Sequence, residues 1–181
     1  MNIHRISPND PNKNLGKAYN QAMQIIPDGD WACITDLDVL FLTPDAGNII
    51  YNYASQIKEP QNCFLTCFTN RIHPLAKDQL LNAIVNEDDS MKNHIMIAEE
   101  QKKHLYKTSV TKGSISGLLM LMHKDFWKQI QFNEDNKCLG VDSDLVKRTR
   151  SQGKQILRMD GLYVWHTYRL TLGINYKGHL I

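Results

Sequence analysis

The sequence predicts a single α/β domain over residues 1–181, with a mostly parallel central sheet flanked by helices. Three observations predict it. Trp31-Ala32-Cys33-Ile34 is apolar without polar alternation, the mark of a strand covered on both faces, as in a parallel sheet. Helix-patterned and strand-patterned segments alternate along the chain, which is the α/β order. A length of 181 residues suits one domain with a real core, and no repeat, linker or low-complexity tract divides it.

The elements follow in chain order. Residues 1–13 leave room for one strand at most. Asn14 is placed to cap a helix from Leu15, where Leu15, Ala18, Ala22, Ile25 and Ile26 recur at helical spacing. Pro27-Asp28-Gly29-Asp30 is a turn, and residues 31–38 then read as a strand. Residues 46–58 read as a helix and residues 61–70, rich in Phe, Thr and Cys, as a strand. Residues 74–105 are helical in pattern and strongly charged with both signs. A Gly/Ser loop near 113–117 leads into a strand over 118–122 and a short helix. A further helix begins near Asp142 and stops at Gly153. One or two strands fill residues 155–170. The remaining tail has no usable pattern.

Bulk properties exclude several classes. A net charge of +2 is too small to draw nucleic acid or an anionic membrane by itself. No stretch approaches the roughly 20 apolar residues that span a bilayer. The first residues are polar, unlike a signal peptide, so the expected compartment is the cytoplasm. Cys33, Cys63, Cys67 and Cys138 lack zinc-ligand spacing and read as buried free thiols.

Three features can carry chemistry. Asp36-Leu37-Asp38 ends an apolar run. Carboxylates are costly to bury without a partner, and residues two apart in a strand point to one side, so both can meet one cation. Hard oxygen ligands suit Mg²⁺ or Mn²⁺; the bland alternative is a pair of turn carboxylates. Asp142-Ser143-Asp144 stands at a helix start, where the helix dipole favours carboxylates. Asp142 is there either a helix cap or a general base, and Asp144 is spaced to hold Arg148 four residues on. His166 follows the apolar Tyr163-Val164-Trp165 and is either a core histidine or a third metal ligand.

Together these features resemble the core of nucleotide-diphospho-sugar glycosyltransferases of the A-type, Rossmann-like fold. Family 2 enzymes and the galactosyl- and N-acetylgalactosaminyltransferases are the nearest analogues. The similar pieces are Gly16 and Asn20 in the first helix, Asp36-x-Asp38, Ser116-Gly117 before an apolar strand, Phe132-x-Glu134, Gly140, the Asp142/Asp144 cluster with Arg148, and the late His166. They lie in order over roughly residues 12–168.

The resemblance implies metal-dependent transfer of a sugar from a nucleotide-diphosphate donor to a glycan or other hydroxyl acceptor, with Mn²⁺ or Mg²⁺ as cofactor. It implies Asp38 and His166 as metal ligands, with Asp36 toward the ribose or a metal-bound water, and Asp142 as base. Gly16, Asn20, Ser116, Gly117, Asp144 and Arg148 would surround donor and acceptor.

Two departures stand out. Val141 occupies a position that is usually acidic, and only about a dozen residues precede the first helix, where the resemblance implies a strand–helix–strand unit that grips the nucleobase. The expectation is that the nucleotide half is minimal, that a second copy or a companion protein supplies it, or that ordinary donor binding is lost. Two other readings compete: a non-catalytic transferase-like domain that binds sugar or protein, and a haloacid-dehalogenase-like phosphohydrolase, whose strand also ends in Asp-x-Asp. In the latter, Val39-Leu40-Phe41 replaces the usual following residues.

Overall fold

The computed structural model describes residues 1–72, 75–81, 90–136 and 139–167. Seven strands form one mixed sheet: β1 (Ile3–Ile6), β2 (Trp31–Thr35), β3 (Val39–Phe41), β4 (Cys63–Thr69), β5 (Thr108–Val110), β6 (Leu119–His123) and β7 (Gln155–His166). Their order is β1-β2-β6-β4-β7-β3, with β5 also paired to β7. The helices are α1 (Leu15–Ile25), α2 (Ala46–Gln56), α3 (Met91–Gln101), α4 (Lys124–Gln129) and α5 (Val141–Ser151).

The sheet is α/β as expected but less parallel. Among the described strands, only β1–β2 and β4–β7 pair in parallel. The pairings β2–β6, β4–β6, β3–β7 and β5–β7 are antiparallel. β1, β2, β4 and β7 therefore run one way, and β6 is wedged between β2 and β4 in the opposite sense. A buried strand reads as an unbroken apolar run whichever way it points, so the pattern could not show direction. Every residue of β2, β4 and β6 is buried.

Alternate residues of these strands feed two cores. Ala32, Ile34, Met120 and Met122 pack with Tyr19 and Met23 of α1 on one face. Cys33, Leu65, Cys67 and Leu121 pack with Ile49, Ile50 and Tyr53 of α2 on the other. Cys33, Cys63 and Cys67 are free and buried, and burial pushes the Cys33 thiol up to about 12 and that of Cys63 to about 11. Cys138 lies outside the described residues, as do residues 82–89 of the segment expected to be helical and the tail from 168 onward.

Asn14 caps α1 as expected, its side chain accepting from the Lys17 N–H at 3.0 Å. α5 begins beside Asp142, as expected, and of the two readings of that residue the cap is not the one formed: the N-cap is Gly140, at φ 82°. Gly140 holds a left-handed conformation that costs glycine little, which frees the Asp142 side chain for other contacts.

β7 carries a large bulge. Cys67 pairs with Met159 but Phe68 pairs with Tyr163, leaving Asp160, Gly161 and Leu162 over. Gly161 is required there, because a Cβ would lie 2.8 Å from the Leu105 backbone. Its N–H donates to the Tyr53 hydroxyl at 2.8 Å. Past the bulge, the free edge of β7 pairs with β3, a strand that the sequence pattern did not suggest.

Candidate metal and transfer site

The carboxyl ends of β2, β4 and β7 lie at one edge of the sheet, because these strands share a direction. The start of β6 joins them, because it runs the other way. Polar groups at that edge form the candidate site. β2 ends at Thr35, so Asp36 and Asp38 belong to a tight turn and not to the strand, as the residue pattern had suggested. Asp36 donates its N–H to the Leu118 carbonyl at 3.0 Å, and Val39 donates back to the Asp36 carbonyl at 3.4 Å. Those bonds close the turn before the chain enters β3.

The turn still brings both carboxylates to His166. Val39 pairs with His166 in the β3–β7 ladder, and the Thr167 N–H donates to the Asp38 carbonyl at 3.1 Å. His166 Nε2 lies 3.2 Å from Asp38 Oδ1 and 3.9 Å from Asp36 Oδ2. One ligand atom from each of the three lies within 4.8 Å of the others.

The imidazole is fixed from behind. His166 Nδ1 lies 2.8 Å from the Arg71 carbonyl, an acceptor only, so Nδ1 carries the proton and donates. The His166 backbone N–H donates to Asn70 Oδ1 at 2.7 Å. Nε2 therefore faces two carboxylates with its lone pair, an arrangement that calls for a proton or a metal cation between them. A back-bonded imidazole of this kind is the usual partner shell of a metal ligand.

The electrostatics agree. Burial raises the Asp36 carboxyl, aided by the charges of Asp38 and Asp142 and opposed by His166. The hydrogen bond with His166 lowers Asp38, against a smaller effect of burial. For His166, burial opposes the charged ring. The Asp38 hydrogen bond and charge, the Arg71 carbonyl and the Asp36 charge together outweigh burial and raise it. Two carboxylates and a neutral imidazole would fit Mn²⁺ or Mg²⁺.

Asp142 stands across a cleft of about 200 Å³ that it shares with Asp36, Ser116 and Gly117. Its Oδ2 accepts from the Gly117 N–H at 3.1 Å and its Oδ1 from the Ser143 N–H at 2.7 Å. Each oxygen keeps a lone pair. Ser116 is clamped through its backbone: its N–H donates to Gln79 Oε1 at 2.7 Å and its carbonyl accepts from Gln79 Nε2 at 3.1 Å. A larger cleft of about 560 Å³ runs past Ile3, Arg5, Phe41 and Ile50, but none of the converging titratable groups lines it.

The other residues singled out from the sequence have different surroundings. Asn20 is buried with its amide fully engaged. Oδ1 accepts from the Trp127 Nε1–H and the Phe132 N–H, both at 3.0 Å. Nδ2 donates to the Phe132 carbonyl and to Glu134 Oε1, both at 2.9 Å. Gly16 lies against the same segment, where a Cβ would stand 2.4 Å from the Asn133 carbonyl oxygen. Both brace the loop carrying Phe132 and Glu134 onto α1. Asp144 pairs with Arg148 at 2.6 Å, as the spacing suggested, and neither is among the described lining residues of the Asp142 cleft.

Sequence reasoning missed Asn70, Arg71 and Gln79. The one available signal was the position of Asn70-Arg71, polar residues directly after an apolar strand. No protein-family profile matches the chain, and no curated protein matches its sequence.

Proposed function

We propose that the protein is a metal-dependent glycosyltransferase of the nucleotide-diphospho-sugar, A-type Rossmann-like class, which transfers a sugar to a hydroxyl acceptor. The observation that carries this reading is the convergence of Asp36, Asp38 and a back-bonded His166, with Asp36 also lining a cleft that Asp142 lines. A haloacid-dehalogenase-like reading gains nothing from a histidine aimed at both aspartates.

Asp38 and His166 would hold the ion, with Asp36 beside it. When bound, a divalent ion supplies positive charge that neutralises a leaving diphosphate. The chain's own groups do the rest. Ser116-Gly117 forms the cleft floor under the sugar. Asp142 takes the proton of the acceptor hydroxyl as its oxygen bonds to the anomeric carbon. The bond from that carbon to the diphosphate oxygen breaks, and its electron pair leaves with the diphosphate. General-base assistance of this kind contributes about 10²–10⁴-fold.

The test is calorimetric titration of Mn²⁺ with a nucleoside diphosphate present, after a thermal-shift screen of uridine, guanosine and cytidine diphosphate sugars. Binding that Asp38→Ala abolishes is the expected result. Equal affinity in the variant would remove the Asp-x-Asp turn from the site and leave the non-catalytic reading.

A further inference from the structure

A second cleft, of about 300 Å³, adjoins the first at Asp142. Leu75, Ala76, Ile115 and Leu139 line it, with Ser114, Ser116 and Ser143 among them. Asp142, Ser116 and Leu139 border both clefts, so a sugar-sized space and this partly aliphatic one adjoin at one carboxylate.

Two properties define an occupant. The first is charge. Among the described residues lining the two clefts, the only charged side chains are Asp36 and Asp142, both acidic. Among the described lining residues of the second cleft no cation receives a phosphate or carboxylate, and an anionic acceptor would meet the Asp142 charge. The second is polarity. Leu139 is 86% exposed and Leu75 66% exposed, so two leucines face water at the rim of a cleft that holds a candidate base. Lone exposed leucines are ordinary. Two at the mouth of an apolar cleft, over buried Ala76 and Ile115, make a surface that gains by being covered. Aliphatic groups cannot hydrogen-bond a sugar's hydroxyls, and no aromatic ring is among the described lining residues to stack on a sugar face. The volume is at the small end for ligand pockets, about 300–1,000 Å³.

We infer that this cleft is the acceptor subsite, and that it takes an uncharged acceptor with an aliphatic group beside the reacting hydroxyl, such as an alkyl-bearing alcohol or alkyl glycoside. The inference rests on the transferase reading for the word acceptor. The hydroxyl sits at Asp142, the alkyl portion covers Leu75 and Leu139, and Ser114, Ser116 and Ser143 are the available polar contacts.

The probes are methyl glucoside, hexyl glucoside and hexyl phosphate, titrated into the full chain by calorimetry. Each methylene fully buried improves binding roughly fourfold. Hexyl glucoside should therefore bind at least about tenfold more tightly than methyl glucoside, even with the chain only partly covered, and hexyl phosphate should bind more weakly than hexyl glucoside. The double substitution Leu75→Ser with Leu139→Ser should erase the hexyl advantage. Both side chains are exposed, so the variant's melting curve should match the parent's. Equal binding of the two glucosides, or an advantage that survives the double substitution, overturns the assignment. Binding needs no turnover, so the two readings separate: a hexyl preference without Mn²⁺–nucleotide binding keeps the apolar subsite and removes the transferase reading.

Discussion

Replacing Asn20 by Ala separates two roles for that residue. The resemblance to glycosyltransferases places it near the donor, whereas the structure gives all its hydrogen-bonding capacity to the protein. Removing the amide strands three groups on residues that are 5% exposed or less: the Trp127 indole N–H, the Phe132 N–H and the Phe132 carbonyl. An unsatisfied buried group costs about 1–3 kcal/mol. At the low end for each, the loss is about 3 kcal/mol. The fourth partner, Glu134, turns to water at little cost. For a domain of this size 1 kcal/mol moves the melting midpoint by roughly 2–4 °C, so Asn20→Ala should melt roughly 6–12 °C lower. Urea unfolding followed by tryptophan fluorescence measures the loss directly, and Trp127 itself is a reporter. At temperatures where the variant is folded, nucleotide and Mn²⁺ affinity should fall by no more than a few-fold. A melting midpoint within about 2 °C of the parent, together with lost nucleotide binding, would refute the bracing role.

Two further outcomes are expected. Asp142→Asn should lower single-turnover transfer by about 10²–10⁴-fold while retaining metal and nucleotide binding; an unchanged rate would end the base assignment. Acid should unfold the protein partly through Asp30. The hydrogen bond from His4, and after it the Asn2 N–H, hold its carboxyl near about 2. A carboxyl depressed in the fold stabilises above its unfolded value of about 3.9. That contribution fades as pH falls from about 4 toward 2. Asp30→Asn should flatten the stability–pH curve in that window, and parallel curves for parent and variant would exclude Asp30 as the cause.

Local signals were legible where neighbours in sequence decide the outcome. The Asn14 cap and the helical spacing after it place α1. The apolar runs place β2, β4 and β6. Asp144 and Arg148, four residues apart, meet on one helix face. The weaker readings involved choices that a single segment does not make. Asn20 looks like a site residue in the chain, yet its partners Trp127 and Phe132 lie more than a hundred residues away and use up its amide. Asp142 could be a helix cap or a base from the chain alone, and Gly140 takes the cap position while Asp142 turns to Gly117.

By itself the sequence determined which stretches become helices and buried strands, because side-chain periodicity and capping act within a few residues of the backbone. It also determined the chemistry available, a pair of carboxylates, a late histidine and an acidic helix start. Only the tertiary structure decided strand direction, since an apolar run is equally stable in either sense once both faces are covered. It alone assembled the corner of Asp36, Asp38 and His166. β3 is only three residues long and pairs with the last residues of β7, beyond the bulge at Asp160–Leu162. That pairing sets Asp38 beside His166, while Asn70 and Arg71, from the end of another strand, fix which imidazole nitrogen faces the carboxylates. These contacts join residues about a hundred or more positions apart, so their energies appear only when the sheet closes.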